Sequence, residues 1–156
     1  MKRKIGIVVL ALLLLSGCYM PTDPVLDSLG EPQESAMWTW GEFQDFTDYG
    51  KYRYLDITQE DLEQNAYFSE VKEEDISLLQ GYLANFEGWV ANAAEEGNEL
   101  AEHYDFSGDM LTVGDYFYLD DHGYSDQPEP FLYVAHDIYY FSLDTQTLYY
   151  FHNNNS

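Results

Sequence analysis

The chain has 156 residues, a formal net charge of −23, 46% hydrophobic residues and 17% aromatic residues. The charge excludes nucleic-acid binding, because an acidic surface repels the phosphate backbone, and it excludes membrane binding through a basic patch. The aromatic content (15 Tyr, 9 Phe, 3 Trp) argues against disorder and predicts one folded domain. A single cysteine cannot form an internal disulfide, so the stability of the fold must come from an apolar core or from bound ligands.

The N-terminal segment has the pattern of an export signal. Lys2, Arg3 and Lys4 precede an apolar run, residues 5–15. A permanent membrane span needs about 20 apolar residues, so this shorter run is typical of the hydrophobic part of a signal peptide. An ordinary secretory peptide and a buried strand or helix are the alternative interpretations.

The four residues Leu15-Ser16-Gly17-Cys18 resemble the lipobox of bacterial lipoproteins. The resemblance implies that residues 1–17 are removed and that Cys18 carries a diacylglyceryl group. The new amino terminus is often acylated as well, for example with palmitate, and two chains anchor a protein stably. The resemblance therefore implies a lipid anchor at the extracytoplasmic face of the cell membrane. We expect no other cofactor.

Residues 18–36 predict a tether between the anchor and the domain. Pro21, Pro24 and Pro32 disfavour helix and central strand, and no apolar period is visible. We therefore assign the domain to residues 37–156.

The first part of the domain is aromatic and irregular. Trp38 and Trp40 alternate as in a strand, whereas Phe43 and Phe46 have the spacing of a helical turn. We expect a short helical or irregular segment over residues 37–54 that leads into a strand near residues 52–57. Thr58 is a good N-cap and predicts a short helix over residues 59–66.

The clearest element is an amphipathic helix over residues 72–94. Its apolar stripe recurs at spacings of three and four residues: Ile76, Leu79, Leu83, Phe86 and Val90. Gly81 and Gly88 interrupt the helix, and we expect them to permit a close approach of another element.

The last third of the chain predicts strands. Residues 116–119 form one, residues 131–143 a long one with a bend near His136-Asp137, and residues 147–152 the last, after a turn at residues 144–146. The prediction is an α+β domain in which an antiparallel sheet of three to four strands packs on one long helix.

Both faces of the predicted sheet are apolar or aromatic, and one helix covers only one of them. Either the segment 38–54 covers the second face, or a tyrosine-rich surface stays open for binding. The candidate binding face comprises Tyr116, Tyr118, Phe131, Tyr133, Tyr140, Tyr149 and Phe151.

Signals for catalysis and for metal binding are weak. Asp120, Asp121, His122 and Asp126 form a weak candidate for a cation site, without the ligand spacing of an EF-hand loop. No zinc-protease, serine-hydrolase or phosphate-loop motif occurs. In a strand, His136 and Asp137 point to opposite faces, which argues against a catalytic dyad.

Two segments, Gly114–Tyr118 and Leu148–Asn153, resemble small uncharacterised exported proteins of Gram-positive bacteria. This resemblance implies no activity. Our leading hypothesis is a membrane-anchored, non-catalytic envelope lipoprotein that binds a basic or amphipathic protein partner. Binding of a cell-wall glycan or small solute through tyrosines is one alternative, and an enzyme with a deep pocket is the other.

Overall fold

The computed structural model of the chain describes residues 22–42, 45–123 and 134–154. The helices are α1 (Pro24–Asp27), α2 (Gln59–Glu63), α3 (Glu73–Glu95), α4 (Glu99–His103) and a 3-10 turn (Gly108–Met110). The strands are β1 (Glu34–Glu42), β2 (Asp45–Arg53), β3 (Ser69–Glu70), β4 (Tyr116–Asp120), β5 (Ala135–Ser142) and β6 (Thr147–Asn154). The predicted α+β class, with one antiparallel sheet and one long helix, is confirmed.

All six strands form one antiparallel sheet in the order β1-β2-β6-β5-β4-β3. The predicted number of three to four strands is therefore wrong. Residues 37–42 and 45–53 of the aromatic segment lie in the antiparallel strands β1 and β2, not in a helical or irregular segment. Local spacing could not show this, because β2 pairs with β6, where Thr47 and Asn153 are partners 106 residues apart.

The helix α3 covers one face of the sheet, and it begins and ends one residue later than predicted. The Lys72 backbone N–H donates to Asp75 Oδ2 at 2.9 Å, which caps the first turn. Leu83 and Phe86 are 2% and 0% exposed. They pack in a cluster with side chains from α4, β2, β5 and β6, among them Tyr49, Leu100, Ile138, Tyr140, Tyr149 and Phe151.

α1 and α2 cover one end of the opposite face. Val25 of α1 and Leu62 of α2 are buried in one cluster with Tyr116, Phe141 and Leu148 of the sheet. The cover expected from residues 38–54 is therefore supplied by other segments, because those residues belong to the sheet itself.

Part of the predicted tether is folded. Asp23 accepts hydrogen bonds from the N–H groups of Val25 and Leu26, which caps α1. Pro24 occupies the start of this helix, where its missing N–H leaves no bond unmade. The described part of the predicted tether thus contains a helix and the start of β1.

The bend predicted near His136-Asp137 is absent from β5. The register with β6 runs unshifted from Ala135 to Ser142, and Asp137 pairs with both Asp120 and His152. β5 is eight residues long, shorter than the segment from which the bend was inferred.

Candidate functional site

The residues of the predicted binding face do not share one surface. Tyr140, Tyr149 and Phe151 lie beneath α3, whereas Tyr116 belongs to the cluster on the opposite face and Tyr118 packs against it. All of these except Tyr118 are buried, and Phe131 and Tyr133 lie outside the described residues. Neighbouring side chains within each strand alternate between the two faces of the sheet, as predicted. The sequence does not show which residues of different strands share a face.

A groove remains open on the second face, beside the part that α1 and α2 cover. Its volume is about 330 Å³.

 A second, separate groove of about 520 Å³ is formed by β1, β2 and the start of β6. It is larger than the groove of about 330 Å³ on the second face. The smaller groove is lined by tyrosines, by aspartates and by the start of α1: Asp23, Pro24, Val25, Tyr67, Tyr118, Asp120, Asp137 and Tyr139. We call it the tyrosine groove.

Three aromatic rings form the apolar part of the tyrosine groove. The rings of Tyr67 and Tyr118 stand edge to face, with centroids 5.5 Å apart and planes at 71°. The ring of Tyr118 lies 5.9 Å from that of Tyr139, which is buried. Edge-to-face pairs are a favourable arrangement of aromatic rings, so the groove has preformed aromatic walls.

Asp23 connects α1 to the sheet at the edge of the tyrosine groove. The Tyr139 hydroxyl donates to Asp23 Oδ2 at 2.7 Å. Burial, followed by this hydrogen bond and the charge of Asp23, raises the pKa of Tyr139 far above its usual range. The Tyr139 hydroxyl is therefore neutral at physiological pH and donates this hydrogen bond.

Asp137 is the acceptor for three side chains. His152 Nδ1 and the Tyr150 hydroxyl contact Oδ1 at 2.7 Å and 2.8 Å, and His122 Nε2 contacts Oδ2 at 2.7 Å. Burial opposes ionisation of Asp137, but the hydrogen bonds from His152, His122 and Tyr150 hold its pKa below the usual range. The ionised carboxylate only accepts, so both imidazole nitrogens that contact it carry hydrogen.

The Asp137 side chain belongs to a row that crosses five strands. Thr39, Asp48, His152, Asp137 and Asp120 are successive register partners on β1, β2, β6, β5 and β4. Asp48 is buried, and the Thr39 hydroxyl donates to it at 2.6 Å. Burial raises the pKa of Asp48, against the hydrogen bond from Thr39 and the charge of His152. The two carboxyl groups beside His152 thus have pKa values shifted in opposite directions.

The larger groove of about 520 Å³ is a weaker candidate, because its polar and aromatic groups are already engaged. Trp38 stacks on His103 and on Tyr49, with centroid distances of 4.5 Å and 5.8 Å. Lys51 contacts Asp105 at 2.6 Å. These contacts leave little recognition chemistry free for a ligand.

The predicted cation ligands do not converge. Asp120 Oδ1 accepts from the N–H of His122, and Asp121 Oδ1 accepts from the N–H of Gly123, so both cap a turn. His122 instead contacts Asp137, and Asp126 lies outside the described residues. Within the described ranges, no group of three or more His, Cys, Asp or Glu side chains is arranged to hold a metal ion.

Sequence reasoning missed Asp23 and Tyr67 as groove residues. Asp23 was placed in the tether, although Asp followed by Pro is a signal for the start of a helix. Tyr67 follows α2 and carries no local signal, because only the fold brings it beside Tyr118.

Comparisons with models of protein families, with curated proteins and with solved structures find no match for this chain. None of the helices in the described part of the chain is both long enough and apolar enough to cross a membrane.

Proposed function

We propose that the protein is a lipid-anchored envelope lipoprotein whose acidic domain binds a basic segment of a protein partner without catalysing a reaction. The anchor is the lipid on Cys18 that the lipobox resemblance implies, which places the domain at the extracytoplasmic face of the cell membrane. The binding site is the tyrosine groove.

The observation that carries this proposal is the composition of the tyrosine groove. Three tyrosines and three aspartates line it, and Tyr67 and Tyr118 remain partly exposed. Aromatic faces and carboxylates both attract cations. A cationic partner is therefore favoured by the groove itself and by the net charge of the whole chain.

The proposal predicts binding that weakens with salt. The full chain in detergent micelles should bind a lysine-rich peptide at low ionic strength and lose most of the affinity at about 0.5 M salt, because salt screens exposed charges. A glutamate-rich peptide of equal length is the control. Absence of binding to the basic peptide at low salt contradicts the proposal.

The anchor has its own experiment. Replacement of Cys18 by serine should abolish labelling with radioactive fatty acid and release the protein from membranes. Asp56→Asn, an exposed position outside the lipobox, is the control for expression and export. Lipid labelling that persists in the Cys18→Ser variant contradicts the anchor.

Glycan binding is the second candidate, and the concave shape of the tyrosine groove favours it, because tyrosine rings can stack on sugar rings. This function predicts ring-proton shifts of Tyr67 and Tyr118 when cell-wall saccharides are titrated. Since neutral sugars carry no charge, that binding would be insensitive to salt, which separates it from binding of a basic segment.

A further inference from the structure

The tyrosine groove is more selective than an acidic surface in general, because most of its carboxylate oxygens already accept hydrogen bonds. Asp23 accepts from two backbone N–H groups at Oδ1 and from Tyr139 at Oδ2. Asp137 accepts from Tyr150 and two histidines. Neither carboxylate therefore offers two free oxygens in the fork that a guanidinium group contacts.

One of the two carboxylate oxygens of Asp120 is engaged as well. Its Oδ1 accepts from the N–H of His122, and no hydrogen bond to Oδ2 is found among the described residues. A compact ammonium group can contact single oxygens and aromatic faces at once, whereas arginine gains most from bidentate pairing. The arrangement favours lysine over arginine.

The position of the groove relative to the proposed anchor indicates where the ligand comes from. Only residues 19–22 separate Cys18 from Asp23, which lines the groove. Extended chain spans at most about 3.6 Å per residue, so an anchored Cys18 holds Asp23 within about 18 Å of the membrane surface.

We infer that the tyrosine groove binds the ammonium group of a lysine side chain, presented by a partner protein close to the membrane surface. This inference rests on the proposed function and names its ligand chemistry. Lysine fits better than a zwitterionic lipid headgroup, because the phosphate beside a headgroup ammonium would be repelled by Asp23, Asp120 and Asp137. The lysine stem carries no such anion.

The experiment compares three peptides of equal length in which lysine, arginine or acetyl-lysine is the only variable residue. Binding to the full chain in a non-ionic detergent is measured by fluorescence anisotropy. The lysine peptide should bind about two- to fivefold more tightly than the arginine peptide, and the acetyl-lysine peptide should not bind, since acetylation removes the cation.

Matched variants locate the site. Tyr118→Leu and Asp120→Asn should each weaken lysine binding about two- to fivefold and abolish the preference over arginine. Tyr118→Phe keeps the aromatic face and should retain both the affinity for lysine and the preference over arginine. Tyr52→Leu and Asp56→Asn are the controls, because neither residue lines the tyrosine groove. Tyr52→Leu removes an aromatic ring as Tyr118→Leu does, and Asp56→Asn removes a negative charge as Asp120→Asn does.

The outcomes separate this inference from the proposed function. Equal binding of lysine and arginine peptides, with equal effects of Asp120→Asn and Asp56→Asn, would overturn the lysine site but leave an acidic binding module. Absence of binding to either peptide overturns both. Binding of Cys18→Ser protein to phosphatidylcholine vesicles that Tyr118→Leu abolishes would also overturn the lysine site and assign the groove to lipid.

Discussion

Asp137 on β5 and His152 on β6 are direct register partners, and His152 Nδ1 contacts Asp137 Oδ1 at 2.7 Å. The Nε2 atom of the same ring is buried without a hydrogen-bond partner in the described part of the chain. The ring packs 4.7 Å from that of Phe46. The orientation of His152 therefore depends on Asp137 and on this aromatic contact.

Asp137→Asn should destabilise the domain by about 2–3 kcal/mol, because an amide offers one accepting oxygen where the carboxylate offers two to its three donors. The folded-state pKa of Asp137 is lowered. The contribution of ionised Asp137 to the free energy of unfolding is therefore fully present above the unfolded-state pKa of about 3.9. It is lost as the pH falls through the folded-state pKa. Urea unfolding of wild type and variant across the acidic range measures both effects, with the exposed Asp56→Asn as control.

Asp48→Asn should show the opposite pH dependence. Burial raises the pKa of Asp48 in the folded state, so the wild type loses stability as the pH rises from about 4 through the folded value. Relative to wild type, the asparagine variant should therefore gain stability as the pH rises over this range. If the stability difference from wild type changed with pH in the same direction for the Asp48 and Asp137 variants, the opposite pKa shifts assigned to the two carboxyl groups would be contradicted.

Gly88→Ala should stabilise the protein by about 0.5–1 kcal/mol, because Gly88 lies inside α3 and an added Cβ meets nothing within 4 Å. The close approach expected at this glycine is therefore wrong. Gly50→Ala is the informative contrast, since its Cβ would meet Tyr52 Cε2 at 2.9 Å and Tyr150 Cβ at 3.3 Å. In thermal unfolding, the melting temperature should be highest for Gly88→Ala, intermediate for wild type and lowest for Gly50→Ala.

Val25→Ala should cost about 2 kcal/mol, because Val25 is 4% exposed and packs on the second face. It should also weaken binding in the tyrosine groove, since α1 positions Asp23. Val113→Ala is the matched control, because Val113 is 48% exposed. Equal stabilities of the two variants would mean that residues 22–29 form a tether after all.

The buried tyrosines should resist ionisation. Burial, then Tyr52 and Asp23, raise the pKa of Tyr54 to about 12, and burial raises those of Tyr139 and Tyr150 further. Above the unfolded value of about 10 the unfolded state loses protons first, so stability falls as the pH rises. The ultraviolet absorbance of tyrosinate should therefore appear in two phases, the second coinciding with alkaline unfolding by circular dichroism.

The local elements were predictable from the sequence because their signals are local. The apolar stripe from Ile76 to Val90 indicated α3 within one residue, and the alternation around Tyr116 and Phe151 indicated the strands and the two faces of the sheet. The acidic charge limited the classes of partner. The lipobox resemblance concerns residues outside the described ranges and stays a prediction.

Only the tertiary structure decided which residues meet. β2 forms a strand through its pairing with β6, and β1 through its pairing with β2. The cover of the second face depends on Val25 and Leu62 reaching the same sheet. The tyrosine groove joins Asp23, Tyr67 and Asp137 from distant parts of the chain. Periodicity reports the face on which a side chain lies, whereas cross-strand register and long-range contacts, which determine a binding site, leave no local pattern.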